Sequence, residues 1–168
     1  MRLERTAPIQ AGQHADPMAR LAAPLHALLR IGAALLFMEH GAQKLLGWFG
    51  GMGPNGGTVP IGSMMGAAGL LELVGGAMLL VGLFTRPIAF LLMGEMIVAY
   101  GMAHMPNGAV PLQNKGELAL LYALVFAFLV GSGAGPLSLD RVLSRRRAGT
   151  APTKLPTSGV PSGRRDAA

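Results

Sequence analysis

Three ionisable side chains stand inside otherwise apolar runs: Arg30, Glu72 and Glu95. Each lies roughly eight to eleven residues into a run long enough to cross a bilayer. At 1.5 Å per residue the three fall within a few ångström of one mid-depth. A charge at the centre of a membrane helix costs ~2.5–3.5 kcal/mol on insertion scales, so each group is expected to point into the bundle and find a partner. One arginine and two glutamates at one level can share charge and hydrogen bonds. They can also leave one carboxyl neutral, because adjacent carboxylates repel. Two roles are open: a polar clasp that fixes helix packing, or a proton-handling site with Glu72, Glu95 and Arg30 as its working groups. In either, Arg30 is expected to pair with at least one glutamate.

A second polar set lies along the first apolar run. At ~100° per residue, His26, Arg30, Phe37, His40 and Lys44 fall within roughly ±40° of one direction. This stripe should face inward, with His26 and Lys44 at the two water boundaries, where long side chains snorkel. His40, Gln43, Lys44, His104, Asn114, Lys115 and Glu117 gather at one end of the chain's apolar runs, as the mouth of a pocket would require. His40, Gln43 and Lys44 are the candidate donors to a bound ligand there. His40 and His104 could ligate haem from two helices. That reading is disfavoured, because a helix that turns Glu95 inward turns His104 nearly the opposite way.

The elements that must position these groups follow from composition. The chain has 168 residues, 51% of them hydrophobic and only 13% charged, against the roughly 25% that a hydrated globule carries. Segments 1–20 and 136–168 hold 14 of the 22 charged residues. The 115 residues between them hold 8, which calls for a bilayer as solvent. Four apolar runs approach the ~20 residues a span needs: about Leu21–His40, Ile61–Phe84, Pro87–Met105 and Glu117–Gly135. Gly41–Pro60 reads as a glycine-rich loop, Thr85-Arg86-Pro87 as a very short link, and Met105–Lys115 as a turn. No period-two alternation supports a barrel. The expected fold is all-α: an integral membrane four-helix bundle over 21–143, with a polar tail at 1–20 and a basic, disordered tail at 144–168. The first 20 residues do not read as a signal peptide. The absence of cysteine excludes disulfides, thiol redox chemistry and Cys-ligated clusters. Gly51–Gly56 matches G-x-G-x-x-G by letter but follows no strand, so it is no dinucleotide fingerprint.

Orientation is an arithmetic matter. With four spans, both termini and the Arg86 link share one side. That side carries 11 of the 14 Lys and Arg residues; the other carries Lys44 and Lys115, and Arg30 lies within a span. The positive-inside rule then puts both termini in the cytoplasm of a bacterial-type plasma membrane. The net charge of +6 is a topological signal and does not call for nucleic acid.

The motifs resemble a known family. Leu29-Arg30-Ile31-Gly32 with Phe37, then His40 to Gly51 (His-Gly-Ala-Gln-Lys-Leu-Leu-Gly-Trp-Phe-Gly-Gly), is similar to the first-helix signature of the DoxX family. Gly69 to Gly76, Gly82 to Arg86, and Lys115-Gly116-Glu117 fit the same pattern. The resemblance spans roughly 25–143. It implies a small four-helix membrane protein, associated in some members with quinone-linked oxidoreductases. The expected role is the membrane component of such a system, which would bind a quinone head group and assist proton transfer. Soluble or membrane oxidoreductase subunits, and a second copy of the chain, are the partners this role suggests. The alternative is a non-enzymatic protein: a small-solute or proton permease, or an assembly subunit.

Overall fold

The computed structural model describes residues 18–149. Among these every regular element is helical. Helix α1 runs Ala19–Leu46, α2 Met64–Val81 and α3 Thr85–Asn107, all three long and apolar enough to cross a membrane. Helix α4, Glu117–Ser132, is apolar and shorter, at 16 residues. Helix α5, Leu139–Gly149, follows a tight connection. It carries the chain in helical form past residue 143, where the sequence pointed to the start of a disordered tail. The polar segment 1–17 and the rest of the tail, 150–168, lie outside the described residues.

Two helix pairs make the bundle. α1 packs along α2, and α3 packs along α4. The core between them includes Ala34, Phe37, Leu79, Leu92, Phe126 and Leu129, each at most 1% exposed. Large apolar side chains on the outside are bare: Leu28 is 66% exposed, Phe90 59% and Leu124 68%. In water such a surface would drive association; in lipid it is solvated.

The first helix is longer than expected. It continues through Gly41 and ends at Gly47, which takes the left-handed conformation at φ 68°. Gly41 is therefore a notch and not the start of the loop. A Cβ there would lie 2.6 Å from the Leu73 backbone nitrogen and 2.8 Å from the Gly69 carbonyl. Gly69 faces the same seam, where an added Cβ would meet the Lys44 Cβ at 2.9 Å. Close backbone approach of this kind is how small residues join membrane helices. Gly62, by contrast, stands in open space.

The remaining boundaries shift for similar local reasons. Thr85-Arg86-Pro87 is not the link but the first turn of α3, where proline lacks no needed hydrogen bond. The link is Gly82–Phe84, and both Asp140 carboxylate oxygens accept from its end: Phe84 N at 2.8 Å and Thr85 N at 2.9 Å. The start of α1, the end of α4 and the α2–α3 link thus meet at one end of the bundle. There Ser132 Oγ lies 3.3 Å from His26 Nε2, and the His26 ring meets Phe128 edge-on.

Candidate functional site

The inward stripe of α1 is present: Arg30, Phe37 and Lys44 are all buried. The single-level triad is not. Among the described residues Arg30 makes no hydrogen bond or ion pair with a glutamate. Its guanidinium donates to four backbone carbonyls: Leu79, Leu80 (2.7 Å), Ala134 (3.1 Å) and Leu137 (2.5 Å). Leu79 and Leu80 belong to the last turn of α2, whose carbonyls have no helical N–H to receive. Arg30 is thus the cap that joins α2 to the connection before α5, at the end of the bundle that holds Arg86 and Arg141.

Glu72 pairs instead with Lys44, fourteen residues beyond Arg30 and about 21 Å further along α1. Lys44 Nζ donates to both Glu72 oxygens, each at 2.5 Å, and the two residues are 7% and 3% exposed. The pair is buried because α1 extends past its expected end and because Gly41 and Gly69 let the helix backbones close. Glu72 lies in a π-helical turn, Leu71–Gly75. Such wide turns inside helices recur at functional sites because they re-aim side chains.

Glu95, on α3, lies within electrostatic reach of both Glu72 and Lys44. Both its carboxyl oxygens are buried and have no hydrogen-bond partner among the described residues. Of the expected triad, then, the two glutamates fall in one neighbourhood, with Lys44 as their cation in place of Arg30.

Beside this group is a cavity of about 270 Å³ lined by Phe37, His40, Glu72, Met96, Ala99, His104, Lys115, Leu118, Ala119 and Tyr122. All four spans or their ends contribute. Tyr122 holds the wall in place: its ring meets Phe37 at 5.0 Å and His40 at 6.0 Å edge-on, and stacks on Phe126 at 5.8 Å. His104 reaches the cavity because α3 ends in a second π-helical turn, Tyr100–His104. One extra residue in the turn rotates the positions beyond it by about 100°. His104 is therefore not turned away from the bundle, as a regular helix would have it. Its Nδ1 donates to the Asn114 carbonyl at 3.0 Å, which leaves Nε2 uncommitted. Asn114 is itself buried and organises the turn, donating to the Gly108 carbonyl at 2.8 Å and accepting from Gly116 N at 2.8 Å.

Of the expected ligand donors, His40 lines the cavity, Lys44 is behind Glu72, and Gln43 is half-buried and off the lining. Tyr122, His104 and Lys115 take its place in the wall. Tyr122 lies inside an apolar run, where a phenol among aliphatic side chains was the available signal. Among the described residues no group of three His, Asp or Glu side chains could hold a metal ion.

Fold and surface together define a multi-pass helical membrane protein. The DoxX family model matches residues 25–105, the first three spans. An uncharacterised protein of Haemophilus influenzae is 45% identical over 118 residues, covering 68% of this chain and 87% of its own length. An uncharacterised membrane protein of Mycobacterium tuberculosis is 28% identical over 138 residues, covering 70% of this chain and 80% of its own. No solved structure matches the chain. The chain belongs to the DoxX family.

Proposed function

We propose that this protein is the membrane component of a quinone-linked oxidoreductase system, and that the cavity beside Glu72 binds the quinone head group. The observation that carries this is the joining of one apolar slot to a buried Lys44–Glu72 pair and an unpartnered Glu95 carboxyl. Small-molecule sites combine largely apolar walls with a few convergent polar groups, and about 270 Å³ suits a single ring. Phe37, Met96, Leu118 and Tyr122 supply the walls. His40 and Lys115 supply donors for ring carbonyls, and His104 Nε2, with the proton held on Nδ1, offers an acceptor for a hydroquinone hydroxyl. When bound, a quinone supplies a two-electron, two-proton redox couple. The chain's own part is to orient the ring and move protons. Glu72 lines the slot and exchanges its salt bridge with Lys44 against a proton; Glu95, buried with no hydrogen-bond partner among the described residues, is the next carboxyl behind it. In this reading electrons come from a partner subunit, since the chain has no cysteine.

The test is a titration of purified protein with a quinone analogue, paired with flux assays in reconstituted vesicles. Saturable binding is expected in the parent protein and its loss in Ala119→Trp, which fills the slot from a residue 9% exposed. Proton or solute flux without quinone binding would favour a permease. Neither signal would favour an assembly role.

In the same proposal the protein lies in a bacterial-type inner membrane with both termini cytoplasmic. The basic end of the bundle (Arg20, Arg86, Arg141, Arg145) faces the cytoplasm, and the cavity opens at the other end. Reporter fusions after the C-terminal tail and at Asn55 are expected to report opposite sides. The same side for both would contradict this orientation.

A further inference from the structure

At the basic end of the bundle an open groove of about 450 Å³ lies between the α2–α3 link and the start of α5. Arg86 and Arg141 both line it, and neither guanidinium has a hydrogen-bond or ion-pair partner among the described residues. Thr85, also in the lining, is fully buried, and its hydroxyl has no partner among the described residues. The serine hydroxyls around the groove already donate to backbone carbonyls at 2.8–3.0 Å. The Asp140 carboxylate is held by Phe84 N and Thr85 N, so the groove's free donors are two guanidinium groups and one hydroxyl facing a single, already bonded anion.

We propose that this groove binds the phosphate of an anionic phospholipid headgroup. Two planar guanidinium groups match the oxygens of a phosphate, and Thr85 Oγ1 offers a third donor. The groove's level argues for a lipid as the source. It lies where the apolar spans end, beside Phe84, which is 58% exposed. Helix α5 borders it with Leu139, Val142 and Leu143 exposed and Arg141, Arg145 and Arg146 along the same eleven residues. A short basic helix with bare apolar side chains lies in the membrane interface, at the depth of headgroups. The cytoplasmic leaflet carries the anionic lipids that such a site selects.

The experiment uses the full chain purified in mild detergent, and titrates it with phosphatidylglycerol, with phosphatidylcholine and with inorganic phosphate, read by native mass spectrometry. The parent protein is expected to retain one phosphatidylglycerol in preference to phosphatidylcholine. Arg86→Gln with Arg141→Gln should weaken that retention about tenfold or more, the scale of a lost hydrogen bond to a charged group. Arg20→Gln with Arg145→Gln removes the same charge at the same end but outside the groove, and should weaken retention far less. Thr85→Val provides a second variant that keeps every charge, and should weaken retention alone. Equal losses in the two double variants, or no preference for phosphatidylglycerol, would overturn the proposal. Occupancy by inorganic phosphate that displaces the lipid effect entirely would assign the groove to a free anion and overturn it as well.

Discussion

Lys44→Met is expected to destabilise the protein by about 3–5 kcal/mol, because it leaves the Glu72 carboxylate buried without its cation. Lys44 Nζ is the only hydrogen-bond donor to Glu72 among the described residues, reaching both of its oxygens at 2.5 Å. The burial that makes the pair strong also makes its halves costly. Removing both groups together, as Lys44→Met with Glu72→Gln, is expected to recover most of the loss, since no charge remains to be desolvated. Unfolding in mixed micelles checks this. Two single losses that simply add in the double variant would mean that the groups do not act as a pair. The comparison bears on function too. A pair whose only work is to clasp α1 to α2 would leave proton-coupled quinone reduction intact in the double variant. With Glu72 as the proton donor beside the slot, that variant folds but no longer supports the reduction.

The second large effect is expected at Arg30. Its guanidinium serves four carbonyls from two separate segments and is 1% exposed. Arg30→Met leaves the α2 end and the 134–137 connection short of donors. Leu79 keeps one partner, the Gly82 N–H at 3.1 Å, so the loss is on the order of 3 kcal/mol or more rather than the sum of four bonds. Arg30→Lys should recover less than half of it. An ammonium is a compact point with three donors and cannot span the four carbonyls that the planar fork reaches. Full recovery by lysine in the same unfolding assay would contradict the capping role. Quinone binding should survive in whatever fraction of Arg30→Lys remains folded, because the cavity lies at the other end of the bundle.

That separation of Arg30 from the glutamates was the main thing hidden in the sequence. The spans themselves were legible, because a run of apolar residues has one physical solution in a bilayer, and the inward stripe of α1 followed from its spacing. Depth was not. Gly41 read as the start of a loop, yet inside a membrane helix a glycine more often marks where another backbone approaches, and here it adjoins Gly69 and Leu73. Extending α1 from His40 to Leu46 moved Lys44 from the water boundary to the protein interior. It thereby changed which cation Glu72 meets. The facing of His104 failed for a different reason. A fixed 100° per residue carries across a regular helix, whereas the π-helical turn at Tyr100–His104 breaks that period, and nothing in the residue types announces such a turn. The cavity wall was half legible: His40, Glu72, His104 and Lys115 were chosen by type, while Tyr122 and Met96 are ordinary span residues that only packing brings to the slot. Glu95 lies between these cases. Its depth marked it out, but that its carboxyl would be buried with no partner depends on the placement of every neighbour.

If a quinone ring sits in the slot between α1, α2, α3 and α4, a reactive quinone must mark the side chains that line it. The decisive measurement is photolabelling of the membrane-embedded full chain with an azido-quinone, with the adducts located by peptide mapping. Adducts are expected on His40, Met96 and Tyr122, suppressed by an excess of unlabelled quinone and absent from Ala119→Trp. Labelling confined to lipid-facing side chains such as Leu28, Phe90 and Leu124, and indifferent to competition, would contradict quinone binding in the slot.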